Sequence, residues 1–387
     1  MTSADQGQGI DPDDADRDGG GDGRDPERDD VDDSDDDHAA LVEELLEGRH
    51  RALARVITKI ENRAPGYREI VSRLHEHTGA ASVVGITGSP GAGKSTLVDK
   101  LAKAYRDRGE TVGVIAVDPS SPYTGGAVLG DRIRMASNVG DMDVFFRSMS
   151  ARGSLGGLST ATSDAVKALD AFGKDRVIVE TVGAGQNEVD VVKTAETVCV
   201  LVQPGSGDDV QMLKAGILEI GDVFVVNKAD IDGAQQTVAE LEEMLHMRDD
   251  PTKNLNTGHH GPVSTDDLGA DGDDSDDDRD AWEPTVLETV ATAGEGVEEL
   301  IETVDDHRDH LEATGQLAAH ARTRYAEEIR QLLRADTATL LEGELAARGG
   351  VERLAERVAD RETDPYAVVD EIVEPLADCL DGRRPDD

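Results

Sequence analysis

Apolar and polar positions follow two rhythms along this chain. Between residues 79 and 311, short apolar runs recur near 83–87, 112–117, 143–147, 176–181, 197–203, 222–227 and 285–290. Val177-Ile178-Val179 and Val198-Cys199-Val200-Leu201-Val202 are continuously apolar, as expected of strands covered on both faces of a parallel sheet. The stretches 94–107, 160–172, 208–219 and 234–247 have helical spacing and predict the crossovers. Together they predict an α/β fold, a doubly wound, mainly parallel sheet with its ligand at the carboxyl ends of the strands.

The flanks carry only the helical rhythm. Leu41, Leu45, Leu53, Val56, Ile57, Ile60, Ile70 and Leu74, interrupted near Ala64-Pro65-Gly66, predict an N-terminal helical extension over 38–78 packed on the central domain. Residues 312–387 read as a C-terminal helical region with a break at Gly349-Gly350. There Leu317, Tyr325, Ile329, Leu332, Leu333, Leu340, Leu341 and Leu345 form a stripe for internal packing or a homodimer. Residues 1–37 hold 16 acidic and 3 basic side chains. They have too little apolar surface to offset ordering entropy and are expected to be a disordered acidic tail. The Asp-, Gly- and Ser-rich stretch 264–280 reads as a solvated loop; no fixed ligand spacing marks it as an acidic metal site.

The first apolar run enters Gly88-Ser89-Pro90-Gly91-Ala92-Gly93-Lys94-Ser95-Thr96. This fits GxxxxGK[ST] between a strand and a helix, the setting of a phosphate-binding loop. Glycines let backbone N–H groups approach the phosphates, and the helix N-terminus adds partial positive charge. Lys94 is expected at the β/γ-phosphates and Ser95 on Mg²⁺. The strand Val223–Val226 then ends in Asn227-Lys228-Ala229-Asp230. In this NKxD pattern Asp230 offers two acceptors to guanine N1–H and the N2 amine, a donor pair that adenine lacks. Asn227 is expected to brace base and loops, and Lys228 to lie along the ring. Ala291-Thr292-Ala293 resembles the short segment that closes over guanine, which places Thr292 and Ala293 in the nucleotide site. GTP is therefore the expected substrate.

Mg²⁺ requires hard oxygen ligands, and strand ends beside the loop supply them. Asp118 follows the strand 112–117, Glu180 lies at the end of the strand containing Val177–Val179, and Asp131 sits in Leu129-Gly130-Asp131-Arg132, a segment with switch character. Each carboxylate alone could equally be a helix cap or a surface group. Their joint placement at the sheet edge favours a metal site.

Charge narrows the partners. With 39 Lys and Arg against 83 Asp and Glu, the net charge is −44, which disfavours nucleic acid and anionic membrane. It reads as adaptation to high salt, where screening relieves self-repulsion. Two isolated cysteines, Cys199 and Cys379, indicate no disulfide framework and fit a reducing cytoplasm. No apolar stretch has the length of a membrane span.

The blocks GSPGAGKST, VDPSSPYTGGAVLGDRIRM, ETVGAGQNE, QPGSGDDVQMLKAGI and NKAD, in this order, resemble the MeaB/ArgK family of P-loop GTPases, chaperones associated with methylmalonyl-CoA mutase. The resemblance covers roughly residues 40–345. It implies a homodimeric GTPase domain over 79–311 that gates adenosylcobalamin delivery to the mutase and protects it. It also implies that Asp118, Asp131 and Glu180 serve the Mg²⁺ site and that Gln203 to Leu218 form a switch. Lys214 in that switch is implied to contact nucleotide or partner across the interface, joining Lys94 among the catalytic residues. Gln186 lies three residues after Gly183, so no water-orienting role is assigned to it, and the catalytic base is left open. Two other readings stand beside this one. One is a kinase of a basic amino-acid (LAO/AO) transport system, for which no acceptor site is seen. The other is a nickel-insertion GTPase, disfavoured because the ten histidines do not cluster beyond His259-His260.

Overall fold

The computed structural model describes residues 35–118, 136–138, 140–150, 157–181, 194–205, 218–248 and 281–381. Strands β1 (Ser82–Gly88), β2 (Val112–Asp118), β3 (Val144–Ser150), β4 (Arg176–Thr181), β5 (Thr197–Val202), β6 (Val223–Asn227) and β7 (Thr285–Thr289) form one sheet in the order β3-β2-β4-β1-β5-β6-β7. Every pairing in it is parallel. Placing β1 in the middle puts its carboxyl end beside those of β4 and β5, where the order of winding reverses.

The period of two along each strand divides the core. Val177, Val179, Val198, Val200 and Val202 face one layer, made with helices α1 (Asp35–Leu46), α2 (His50–Asn62), α3 (Tyr67–His75), α5 (Gly157–Ala171) and α6 (Ala234–Arg248). Ile178, Cys199 and Leu201 face the other, made with α4 (Lys94–Asp107) and α7 (Val297–Ala313). Burial on both faces is the physical reason that these runs contain no polar residue.

The N-terminal helices belong to the first layer. Leu45, Leu53, Val56, Ile57 and Ile60 are fully buried there, each contributing about 1.5–3 kcal/mol of apolar transfer free energy. α1 begins at Asp35, so Asp35, Asp36 and Asp37 form its first turn. That corrects the expectation of a disordered tail at these three positions. Carboxylates at a helix N-terminus are favoured by the exposed N–H groups there. The rest of the acidic tail, the loop 264–280 and most of the expected helix 208–219 lie outside the described residues. Of that helix, 218–220 form a turn.

The C-terminal helices are α8 (Gln316–Ala347), α9 (Gly350–Ala359) and α10 (Pro365–Asp381), and the helix is interrupted at Arg348-Gly349, with Gly350 opening α9. The predicted stripe divides. Leu341 and Leu345 pack on a small cluster of Leu354, Val368 and Ile372, whereas Tyr325, Ile329, Leu333 and Leu340 are exposed. Polar contacts tie α8 to the sheet domain: Arg68 Nη1 donates to Asp336 at 2.8 Å, and Lys167 donates to Glu328. No helix among the described residues is long and apolar enough to cross a membrane.

At the amino edge of the sheet, His307 on α7 is buried and its Nδ1 lies 2.8 Å from Thr197 Oγ1. The ring of Trp282, the chain's single tryptophan, sits 4.8 Å from that of His307. Burial pushes the His307 pKa down to about 4, and neighbouring His310 and His320 add to the shift. Asp222 Oδ1 lies 3.7 Å from Nε2. The unfolded chain takes up this proton near pH 6.5, as an unperturbed histidine does. The stabilisation is therefore complete above that pH and is lost as pH falls toward 4, by about 3 kcal/mol in all. His307→Gln is expected to flatten stability between pH 6.5 and 4, measured by urea unfolding followed through Trp282 fluorescence. An unchanged pH profile in the variant would refute the assignment.

Candidate nucleotide site

β1 is buried along its whole length and delivers the phosphate loop to the sheet centre. Gly88 pairs with Leu201 of β5 at φ 132°, and an added Cβ would lie 2.0 Å from the Leu201 carbonyl oxygen. At Gly93, φ 93°, a Cβ would fall 2.4 Å from Asn227 Nδ2. Only glycine permits both the backbone turn and the close approach. Lys94 opens α4 and is buried, its Nζ donating to the carbonyls of Gly88 at 2.6 Å and Ser89 at 3.0 Å. A buried ammonium is thus held at the helix N-terminus, where a phosphate anion would meet it. Ser89 and Ala92 are buried, Pro90, Gly91 and Thr96 exposed.

Ser95 Oγ donates to the carboxylate of Glu180, which is 1% exposed at the end of β4. A hydroxyl and a carboxylate meeting beside a phosphate loop form a hard-oxygen donor set that fits Mg²⁺. Asp118 ends β2, one residue past Val117, the partner of Thr181. Its backbone therefore reaches the same sheet edge as Glu180. Asp131, Lys214 and Gln186 lie outside the described residues.

Asn227 ends β6 almost fully buried. Its Oδ1 accepts from Thr289 Oγ1 at 3.0 Å and Ala291 N at 3.1 Å, while Nδ2 donates to Ala92 O at 2.7 Å. One side chain thereby joins β6, the loop after β7 and the phosphate loop. Lys228, in the left-handed region at φ 63°, donates Nζ to Gly91 O at 2.7 Å and to Gln203 Oε1 at 3.0 Å. Gly93, Thr96, Asn227, Lys228, Val290, Ala291 and Thr292 line a small cavity here. Asp230 and Ala293, which are not among its lining residues, are exposed. The motif at 227–230 and the segment at 291–293, far apart in sequence, are joined by the hydrogen bond from Ala291 N to Asn227 Oδ1.

Two contributions were not legible as such. Thr289 orients Asn227, yet a threonine closing a strand carries no signal of that role. Gln203 was legible only as the start of a switch; its contact with Lys228 depends on β5 and β6 being neighbours.

A central phosphate loop on a parallel sheet, with NKxD at the end of a strand two places away, defines a P-loop GTPase. Residues 53–345 match the family described as methylmalonyl-CoA mutase-associated GTPase MeaB. The chain belongs to that family. It is 46% identical over 336 residues to a protein of Pyrococcus abyssi described as a GTPase, covering 87% of this chain and 96% of the relative. To the GTPase ArgK of Escherichia coli it is 33% identical over 283 residues, covering 72% and 78% of the two chains. The solved structure of an LAO/AO transport system kinase superposes with a TM-score of 0.59 at 23% identity, over 89% of this chain and 99% of the other. That likeness establishes the shared fold.

Proposed function

We propose that this GTPase times the delivery of adenosylcobalamin to methylmalonyl-CoA mutase and protects the mutase from inactivation. The observation that carries the reading is the family match over 53–345, a family described as mutase-associated. Lys94 exchanges the carbonyls of Gly88 and Ser89 for β/γ-phosphate oxygens, so its charge follows the charge that develops during hydrolysis. Ser95, Glu180, Asp118 and Asp131 hold Mg²⁺, which when bound neutralises charge on the β- and γ-phosphates. Asn227, Lys228 and Asp230 select guanine, with Thr292 and Ala293 flanking it. Lys214 contacts nucleotide or partner across a homodimer interface. The exposed Tyr325, Ile329, Leu333 and Leu340 on α8 supply apolar surface for that dimer.

Switch segments ordered by the γ-phosphate and released on hydrolysis convert nucleotide state into partner affinity. The test combines the protein with methylmalonyl-CoA mutase in the presence of GDP or a non-hydrolysable GTP analogue, and follows labelled GTP. Nucleotide-dependent capture of the mutase, faster hydrolysis in its presence and label released as free phosphate are expected. No capture in either nucleotide state refutes the mutase role, and label transferred to a protein acceptor supports a kinase instead.

A further inference from the structure

Far from the phosphate loop in sequence, Asp35, His38 and Glu69 converge where α1 meets α3. They are a group of metal-ligating side chains among the described residues, with one ligand atom from each lying within 4.8 Å of the others. Asp35 and His38 are three residues apart on α1 and so share a face. Glu69 stands in the first turn of α3. His38 Nδ1 is 3.6 Å from Glu69 Oε2. Two carboxylates brought together on one imidazole favour a cation among them. We propose that Asp35, His38 and Glu69 form a Zn²⁺ site that latches the start of α1 to α3.

The donor set selects the ion, and the His38–Glu69 separation is compatible with it. Zn²⁺ bonds of roughly 2.0–2.1 Å in a tetrahedron put neighbouring ligand atoms about 3.4 Å apart, close to the separation of His38 and Glu69. An octahedral Mg²⁺ requires about 2.9 Å and prefers oxygen throughout. One imidazole nitrogen with two carboxylate oxygens suits zinc and leaves a fourth position for water.

Surrounding groups hold the ligands in place. His38 is 3% exposed, and its ring packs so closely on Gly66 that a Cβ there would lie 1.8 Å from Cε1. Arg73 donates to Glu69 Oε1 through Nε at 2.9 Å and Nη2 at 2.7 Å. That leaves Oε2 directed at His38, the kind of outer support that orients metal ligands. Asp35 is exposed and provides the entry path. Asp35 and His38 precede the stretch matched by the family, so the latch goes beyond the GTPase machinery.

The test uses the full chain, stripped with EDTA and then saturated with Mg²⁺ and GDP to occupy the phosphate loop. Titration with Co²⁺ is expected to give one ion per chain with the visible spectrum of tetrahedral coordination, displaced by Zn²⁺. His38→Gln and Glu69→Gln are each expected to weaken Co²⁺ binding by at least about 10-fold. Zn²⁺ should raise the unfolding temperature of the wild type and of neither variant. Matching circular dichroism in EDTA checks that both variants fold, and their Mg²⁺-dependent GTP hydrolysis should be unchanged, which separates this site from the nucleotide reading. Absence of the tetrahedral spectrum in the wild type, or equal Co²⁺ affinity in wild type and His38→Gln, overturns the proposal.

Discussion

Lys94→Ala is expected to lower the rate of GTP hydrolysis by about 10²–10³-fold, the scale of removing one preorganised charge stabiliser from a catalytic site. The reason lies in how the ammonium is held. It is 6% exposed and braced by two loop carbonyls at 2.6 and 3.0 Å, so little reorganisation is needed to meet developing phosphate charge. Lys94→Arg should rescue poorly, because a planar guanidinium does not fit where a compact ammonium is enclosed by backbone. Single-turnover phosphate release, with circular dichroism to confirm folding, measures both variants. Wild-type turnover in Lys94→Ala would remove this residue from the mechanism.

Asp230→Asn should weaken GTP by roughly 10²–10⁴-fold and shift preference toward xanthosine triphosphate. Two charge-assisted hydrogen bonds to N1–H and the N2 amine, at about 1.5–3 kcal/mol each, account for that range. Xanthine replaces the amine with a carbonyl, which the donor of an asparagine side chain can meet. Asp230 is exposed, while Asn227 and Lys228, which precede it in the turn, are braced on the phosphate loop. The substitution should therefore change specificity without unfolding the site. Competition of GTP, xanthosine triphosphate and ATP for the same protein decides it, and an unaltered GTP preference would contradict the role.

Much of this architecture was readable beforehand. The apolar runs at 177–179 and 198–202 announce doubly covered strands because no polar side chain survives there without a partner. Gly88 to Ser95 and Asn227 to Asp230 announce their chemistry because few other residues satisfy a tight turn or a bidentate acceptor. Elsewhere local pattern misled or fell silent. The acidic run gave no sign that Asp35 to Asp37 open a helix, since their composition matches the residues before them. The leucines of α8 share one spacing, although some pack on α9 and α10 and others face outward.

Sequence alone determined the order of strands and helices along the chain, the nucleotide class and the residue types of the phosphate and base motifs, because these follow from local periodicity and short-range geometry. Tertiary structure decided which distant groups meet: Ser95 with Glu180, Asn227 with Ala92 and Thr289, Lys228 with Gln203, and His38 with Glu69. Such contacts depend on the spatial order of strands in the sheet and the docking of helices upon it. Both are set by the summed burial of many side chains, which no short stretch of sequence contains.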